Sequence, residues 1–86
     1  MAQPVRIYTT TSCGFCVRAK ELMKRKNIAF EEIDVTHDPE ERQRLVAASG
    51  GQRTVPQIFI GETHVGGYTD LAQLDREGKL DAMVQA

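Results

Sequence analysis

Val5-Arg6-Ile7-Tyr8-Thr9 alternates apolar and polar side chains and consists of β-formers, so it predicts a first strand. After the polar loop Thr10-Thr11-Ser12 the period lengthens. Phe15, Ala19 and Leu22, with Cys16, Ala19 and Met23 beside them, recur at helical spacing from Gly14 to about Lys26; Arg18, Glu21, Lys24 and Arg25 fall mostly on the other side. Asn27 ends that helix. Ala29 to Val35 predicts a second strand, with Ile33 and Val35 as its core contacts. Asp38-Pro39-Glu40-Glu41 then joins an N-cap aspartate, a proline at the first helical position and a glutamate at capping-box spacing. The helix they open runs to about Ser49 and stops at Gly50-Gly51. Gln57 to Ile60 is a short apolar run suited to a buried strand, and Gly61-Glu62-Thr63 turns it into a hairpin with His64 to Gly66. Thr69 or Asp70 opens a third helix carrying Leu71 and Leu74, which Gly78 ends. Leu80, Met83 and Val84 give a final amphipathic turn or two.

The resulting order is β-α-β-α-β-β-α. Strand, helix and strand make a parallel pair through a right-handed crossover, and the later hairpin adds antiparallel strands. The expectation is an α/β architecture, a four-stranded mixed sheet with helices on both faces, which is the smallest form of a thioredoxin-like fold. Eighty-six residues suffice for one modest core, hence a single domain over 1–86. No apolar run approaches the roughly 20 residues of a membrane helix, and MAQPVRIY lacks a signal-peptide profile. With 11 basic and 12 acidic residues and no Trp, neither nucleic acid nor anionic lipid is an expected partner.

Two cysteines remain, three residues apart. A bond between Cys13 and Cys16 closes almost no loop, so it constrains the unfolded chain very little and a structural staple explains it poorly. Zinc in a closed site wants four ligands, and the only additional histidines, His37 and His64, have no suitable spacing to the pair or to each other. A C-x-x-C beside a βαβ pattern points instead to redox chemistry. Cys13 falls at the start of the first helix, where unpaired N–H groups and the positive end of the dipole stabilise a thiolate. Cys16 lies one turn further in, where it is expected to be more buried and less acidic. Cys13 is therefore the expected nucleophile and Cys16 the resolving thiol.

Two further segments suit a ligand. Pro56 precedes the buried run 57–60 and cannot donate to a sheet ladder. With a cis Val55–Pro56 bond, the Val55 N–H and C=O are free to pair with a peptide-like substrate. Gly66-Gly67-Tyr68-Thr69-Asp70 permits close backbone approach ahead of a helix start, a place for a carboxylate, and Asp70 adds a charge for an ammonium group.

Taken together, IYTTTSCGFCVRAKELM and TVPQIFIGETHVGGYTDLAQLD resemble the glutaredoxins, specifically their short dithiol class, over nearly the whole chain. The resemblance implies glutathione-dependent thiol–disulfide exchange in the cytoplasm by a monomer. Its partners would be glutathione and glutathionylated or disulfide-containing proteins, ribonucleotide reductase among them. By position, Thr54 and Val55 before Pro56 would hold the cysteinyl backbone of glutathione. Thr69 and Asp70 would hold its γ-glutamyl end, with Gly67 and Tyr68 lining the approach. Phe15 replaces the usual tyrosine, and Gln52 and Arg53 match positions that meet the glycine carboxylate, with Arg18 adding to a basic rim. Thr10 stands where the family commonly has lysine. C-G-F-C departs from C-P-Y-C towards the C-G-F-S of monothiol members that ligate iron–sulfur clusters, so a 2Fe-2S carrier dimer is the alternative cofactor reading. A thioredoxin-like donor that ignores glutathione is the other.

Overall fold

The computed structural model describes residues 2–86. Its elements run β1 (Val5–Thr9), α1 (Gly14–Arg25), β2 (Glu31–Asp34), α2 (Pro39–Ala48), β3 (Gln57–Ile60), β4 (Thr63–Gly66), α3 (Tyr68–Arg76) and α4 (Leu80–Gln85). The sheet order is β2-β1-β3-β4. β1 and β2 are parallel, with Tyr8 opposite Ile33, and β3 runs antiparallel to both β1 and β4. This is the expected four-stranded mixed sheet. The strand at 31–34 is shorter than the 29–35 expected, although Val35 still donates its N–H to the Thr9 carbonyl at 2.9 Å.

Alternation in the central strands divides the core in two. Val5, Ile7, Ile58 and Ile60 point to one face, where Ala19, Leu22 and Met23 of α1, Leu71 of α3, and Leu80 and Val84 of α4 pack on them. Tyr8 and Phe59 point to the other, and with Val35 they meet Leu45, the fully buried residue of α2. Helices thus cover both faces. Asp38 caps α2 by accepting the Glu41 N–H at 3.0 Å, with Pro39 at its first position. At the far end of α1, Lys26 pairs with Asp75 at 2.6 Å and Asp81 at 3.2 Å, joining α1 to α3 and α4. The hydrogen bonds that Lys26 donates to these carboxylates, Asp75 foremost, raise its pKa above the ordinary value.

Two expectations need correction. Phe15 has the spacing of the α1 core stripe, but its side chain is 56 % exposed; Cys16, Ala19, Leu22 and Met23 form the buried stripe without it. Phe15 sits in the first turn, where its ring lies against Tyr68 of α3 instead of in the core. The third helix starts at Tyr68 with Gly67 as its N-cap, rather than at Thr69 or Asp70. Asp70 serves the same end from inside the first turn: its Oδ2 accepts the Gly67 N–H at 3.0 Å, one half of a capping box.

Candidate active site

Cys13 is the N-cap of α1, with extended backbone (φ −139°, ψ 103°), and its Sγ accepts the Cys16 N–H at 3.1 Å. The polar loop after β1 brings it there, and the first turn of α1 contains no acidic residue to oppose the dipole. A sulfur in this position receives both a directed N–H and the partial positive charge of the helix end, which favour its anionic form. Cys16, one turn on, is 1 % exposed, whereas Cys13 is half-buried. The two are joined as a disulfide with Cα atoms 5.2 Å apart, an ordinary separation for such a bond. Asymmetric exposure gives the two sulfurs different access: an incoming group reaches Cys13.

The loop before β3 faces this sulfur. The Val55–Pro56 bond is cis, and the Val55 carbonyl oxygen lies 3.7 Å from Cys13 Sγ. Among the described residues the Val55 N–H has no acceptor. Val55 itself packs against the cluster of Tyr8, Val35, Leu45 and Phe59, so the loop rests on core. The groove beside it encloses about 180 Å³ and is lined by Phe15, Thr54, Val55, Pro56, Gly67, Tyr68, Thr69 and Asp70. Phe15 stacks on Tyr68 with ring centroids 6.1 Å apart and an interplanar angle of 24°, and the Arg18 guanidinium lies over Phe15 at 5.5 Å. This ladder forms one lip. At the other end the Asp70 carboxylate engages the cap of α3, while Thr69 is exposed beside it.

Of the residues singled out in the sequence, Gln52 and Arg53 do not line this groove, and Arg18 reaches it only through Phe15. The Arg53 side chain lines a neighbouring groove of about 560 Å³ with Pro39, Arg42, Gln43, Val46 and Ala47 of α2, not the groove beside Cys13. Arg42, which the sequence gave no reason to single out, donates from Nη1 to the Arg53 carbonyl at 3.4 Å and braces the chain leading to Thr54. Gln57 was legible only as the first residue of an apolar run. It is 4 % exposed and bonded to Thr54, and the one available signal was a polar residue heading a buried strand. His37 and His64 do not join the cysteines, and among the described residues no three His, Cys, Asp or Glu side chains cluster as a metal site.

Comparison with known proteins agrees with this geometry. The glutaredoxin family model matches residues 5–65. A glutaredoxin of Pseudomonas aeruginosa is 55 % identical over 83 residues, covering 96 % of this chain and 98 % of its own. The solution structure of a Brucella melitensis glutaredoxin superposes with a TM-score of 0.85 at 48 % identity, over 98 % of this chain and 90 % of that one. A buckwheat glutaredoxin, solved as its glutathione complex, gives a TM-score of 0.86 at 32 % identity, covering 95 % of this chain and 76 % of the other. The chain belongs to the glutaredoxin family of oxidoreductases, with Cys13 and Cys16 as its redox-active pair.

Proposed function

We propose that this protein is a glutathione-dependent thiol–disulfide oxidoreductase that reduces glutathionylated proteins and protein disulfides. The observation that carries the reading is the groove that joins the open Val55 main chain to the first turn of α3 at Tyr68–Asp70, with the Cys13 sulfur 3.7 Å from the Val55 carbonyl oxygen. A tripeptide fits those features in order. Its cysteinyl main chain pairs with Val55, its sulfur meets Cys13, and its γ-glutamyl carboxylate and ammonium meet the α3 N-terminus and Asp70. The buckwheat relative solved with glutathione supports the same ligand here.

In the reaction the Cys13 thiolate attacks the glutathionyl sulfur of a mixed disulfide, and the substrate thiolate leaves. Cys13 is then glutathionylated. A second glutathione thiolate attacks that bond, releasing glutathione disulfide and restoring the Cys13 thiolate. With a protein disulfide, Cys13 attacks one sulfur and the other leaves as a thiolate. Cys16 then displaces the substrate's remaining thiolate, closing the Cys13–Cys16 bond, which two glutathione molecules reopen with release of glutathione disulfide. The buried Cys16 is well placed for that internal step and poorly placed for the first attack. Such a cycle belongs in a reducing compartment, for which we propose the cytoplasm. A 2Fe-2S cluster takes four thiolates or their substitutes, and each chain presents one accessible cysteine, Cys13. Holding such a cluster would therefore take Cys13 from two copies of the chain with two glutathione thiolates, and a brown dimer on anaerobic reconstitution would support that second reading.

The test is a coupled assay containing glutathione, glutathione reductase, NADPH and a small glutathionyl mixed disulfide. NADPH consumption that saturates with glutathione is expected. No turnover under these conditions, with turnover restored by a flavoenzyme that reduces the Cys13–Cys16 bond directly, would replace this reading with that of a glutathione-independent donor.

A further inference from the structure

We propose that Gln57 and His64 are positioning residues that act through Thr54, holding its hydroxyl so that the proton is offered to the groove. The inference rests on the function proposed above, because the acceptor is an oxygen of the tripeptide bound there. Gln57 heads β3 and is 4 % exposed. Its Nε2 donates to Thr54 Oγ1 at 3.2 Å, and its Oε1 lies 2.7 Å from His64 Nε2. An amide oxygen only accepts, so this contact requires the ring to hold a proton on Nε2. The ring is itself held: it stacks on Phe59 with centroids 4.9 Å apart, and Phe59 is buried against Tyr8.

The chain takes its direction from the His64 tautomer. With the ring proton on Nε2, His64 donates to Gln57 Oε1 and the amide, oriented as in the structure, donates to Thr54. With the proton on Nδ1, the amide turned over is equally satisfied, accepting from Thr54 and donating to His64 Nε2, so the Nε2–H tautomer is the one that frees the Thr54 proton. Thr54 Oγ1, already accepting from Gln57, has its proton left to donate. Thr54 lines the groove, so that proton meets a ligand oxygen there. His64 is too far along the hairpin to be recognised from sequence as part of the site, yet two hydrogen bonds connect it.

The test is a double-mutant cycle of Gln57→Met with Thr54→Val, read as KM for glutathione and kcat in the coupled assay. Gln57→Met alone is expected to raise KM about 3- to 10-fold, the range of one lost hydrogen bond, with kcat within about twofold. In the Thr54→Val background the same change is expected to alter KM less than about 1.5-fold, because no hydroxyl remains to orient. His64→Phe keeps the stack on Phe59 and deletes the N–H; it should move KM in the same direction, again only when Thr54 is present. This exposed substitution carries the cycle if Gln57→Met does not fold. Equal KM effects with and without the Thr54 hydroxyl, or a fall in kcat at unchanged KM, would overturn the relay. A wild-type protein that shows no saturation with glutathione would instead overturn the functional reading on which it rests.

Discussion

Gly66→Ala should harm this protein more than an equivalent change at Gly78, and the reason lies in the groove. Both glycines have positive φ, 116° at Gly66 and 72° at Gly78. An alanine at either costs about 1–2 kcal/mol in backbone strain, more at the wider angle. At Gly78 the new methyl group meets open space. At Gly66 it would overlap the Asp70 carboxylate, whose Cγ would be 3.0 Å away. That carboxylate must then leave the Gly67 N–H it accepts, losing a cap interaction of about 0.5–2 kcal/mol. The total at Gly66 is about 1.5–4 kcal/mol. For a domain of this size each kcal/mol lowers Tm by about 4–8 °C. Thermal unfolding followed by circular dichroism should therefore show a drop of about 6–32 °C for Gly66→Ala and about 4–16 °C for Gly78→Ala, with Gly66→Ala melting the lower of the two. Because Asp70 lines the groove, Gly66→Ala should also raise KM for glutathione while Gly78→Ala leaves it unchanged. Equal Tm shifts for the two variants, with equal KM values, would refute the assignment of Asp70 as a carboxylate held in place by the glycine beside it.

Three other outcomes follow from the same structure. Leu45→Ala empties the middle of the cluster formed with Tyr8, Val35 and Phe59, and should cost about 2–5 kcal/mol in chemical denaturation. Since Val55 rests on that cluster, the variant should also bind glutathione more weakly at temperatures where it remains folded. Glu32 accepts hydrogen bonds from Lys20 at 2.9 Å and Thr9 at 2.7 Å, which lower its pKa below the ordinary 4.5, the lysine contributing most. A carboxylate depressed on folding adds stability above its unfolded pKa and loses it as pH falls through the folded value. The stability difference between wild type and Glu32→Gln should therefore be full at pH 7 and shrink as pH falls below 4.5, and a difference that grows with acid would contradict the ion pair. Finally, Cys13→Ser should abolish turnover of a glutathionyl mixed disulfide, whereas Cys16→Ser should keep much of it and lose the reduction of protein disulfides; equal loss from both would contradict the single-thiol step.

Much of this was readable before any coordinates. Period-2 alternation in 5–9 and the apolar run 57–60 located the central strands, because burial on one or both sheet faces leaves that signature directly in sequence. Asp38-Pro39 announced α2 because local hydrogen bonding alone satisfies a helix start. Phe15 escaped because spacing identifies a helix stripe but not what each turn of the helix packs against. Thr69 and Asp70 carried N-cap chemistry, yet a carboxylate three residues in can satisfy the same N–H, so Gly67 became the cap. Arg53 and Thr54 are adjacent in sequence but line different grooves, a separation that an irregular loop leaves no pattern for in sequence. Gln57 and His64 are seven residues apart and meet only because the hairpin pairs β3 with β4.

The most direct measurement is mass spectrometry of the reduced Cys16→Ser and Cys13→Ser proteins after incubation with a glutathionyl mixed disulfide. Cys16→Ser should gain one glutathionyl group, mapped to Cys13 and removed by added glutathione, while Cys13→Ser should remain unmodified. An adduct on Cys16 in the Cys13→Ser protein at a comparable rate, or no adduct on either, would contradict a helix-capping Cys13 thiolate as the group that carries glutathione.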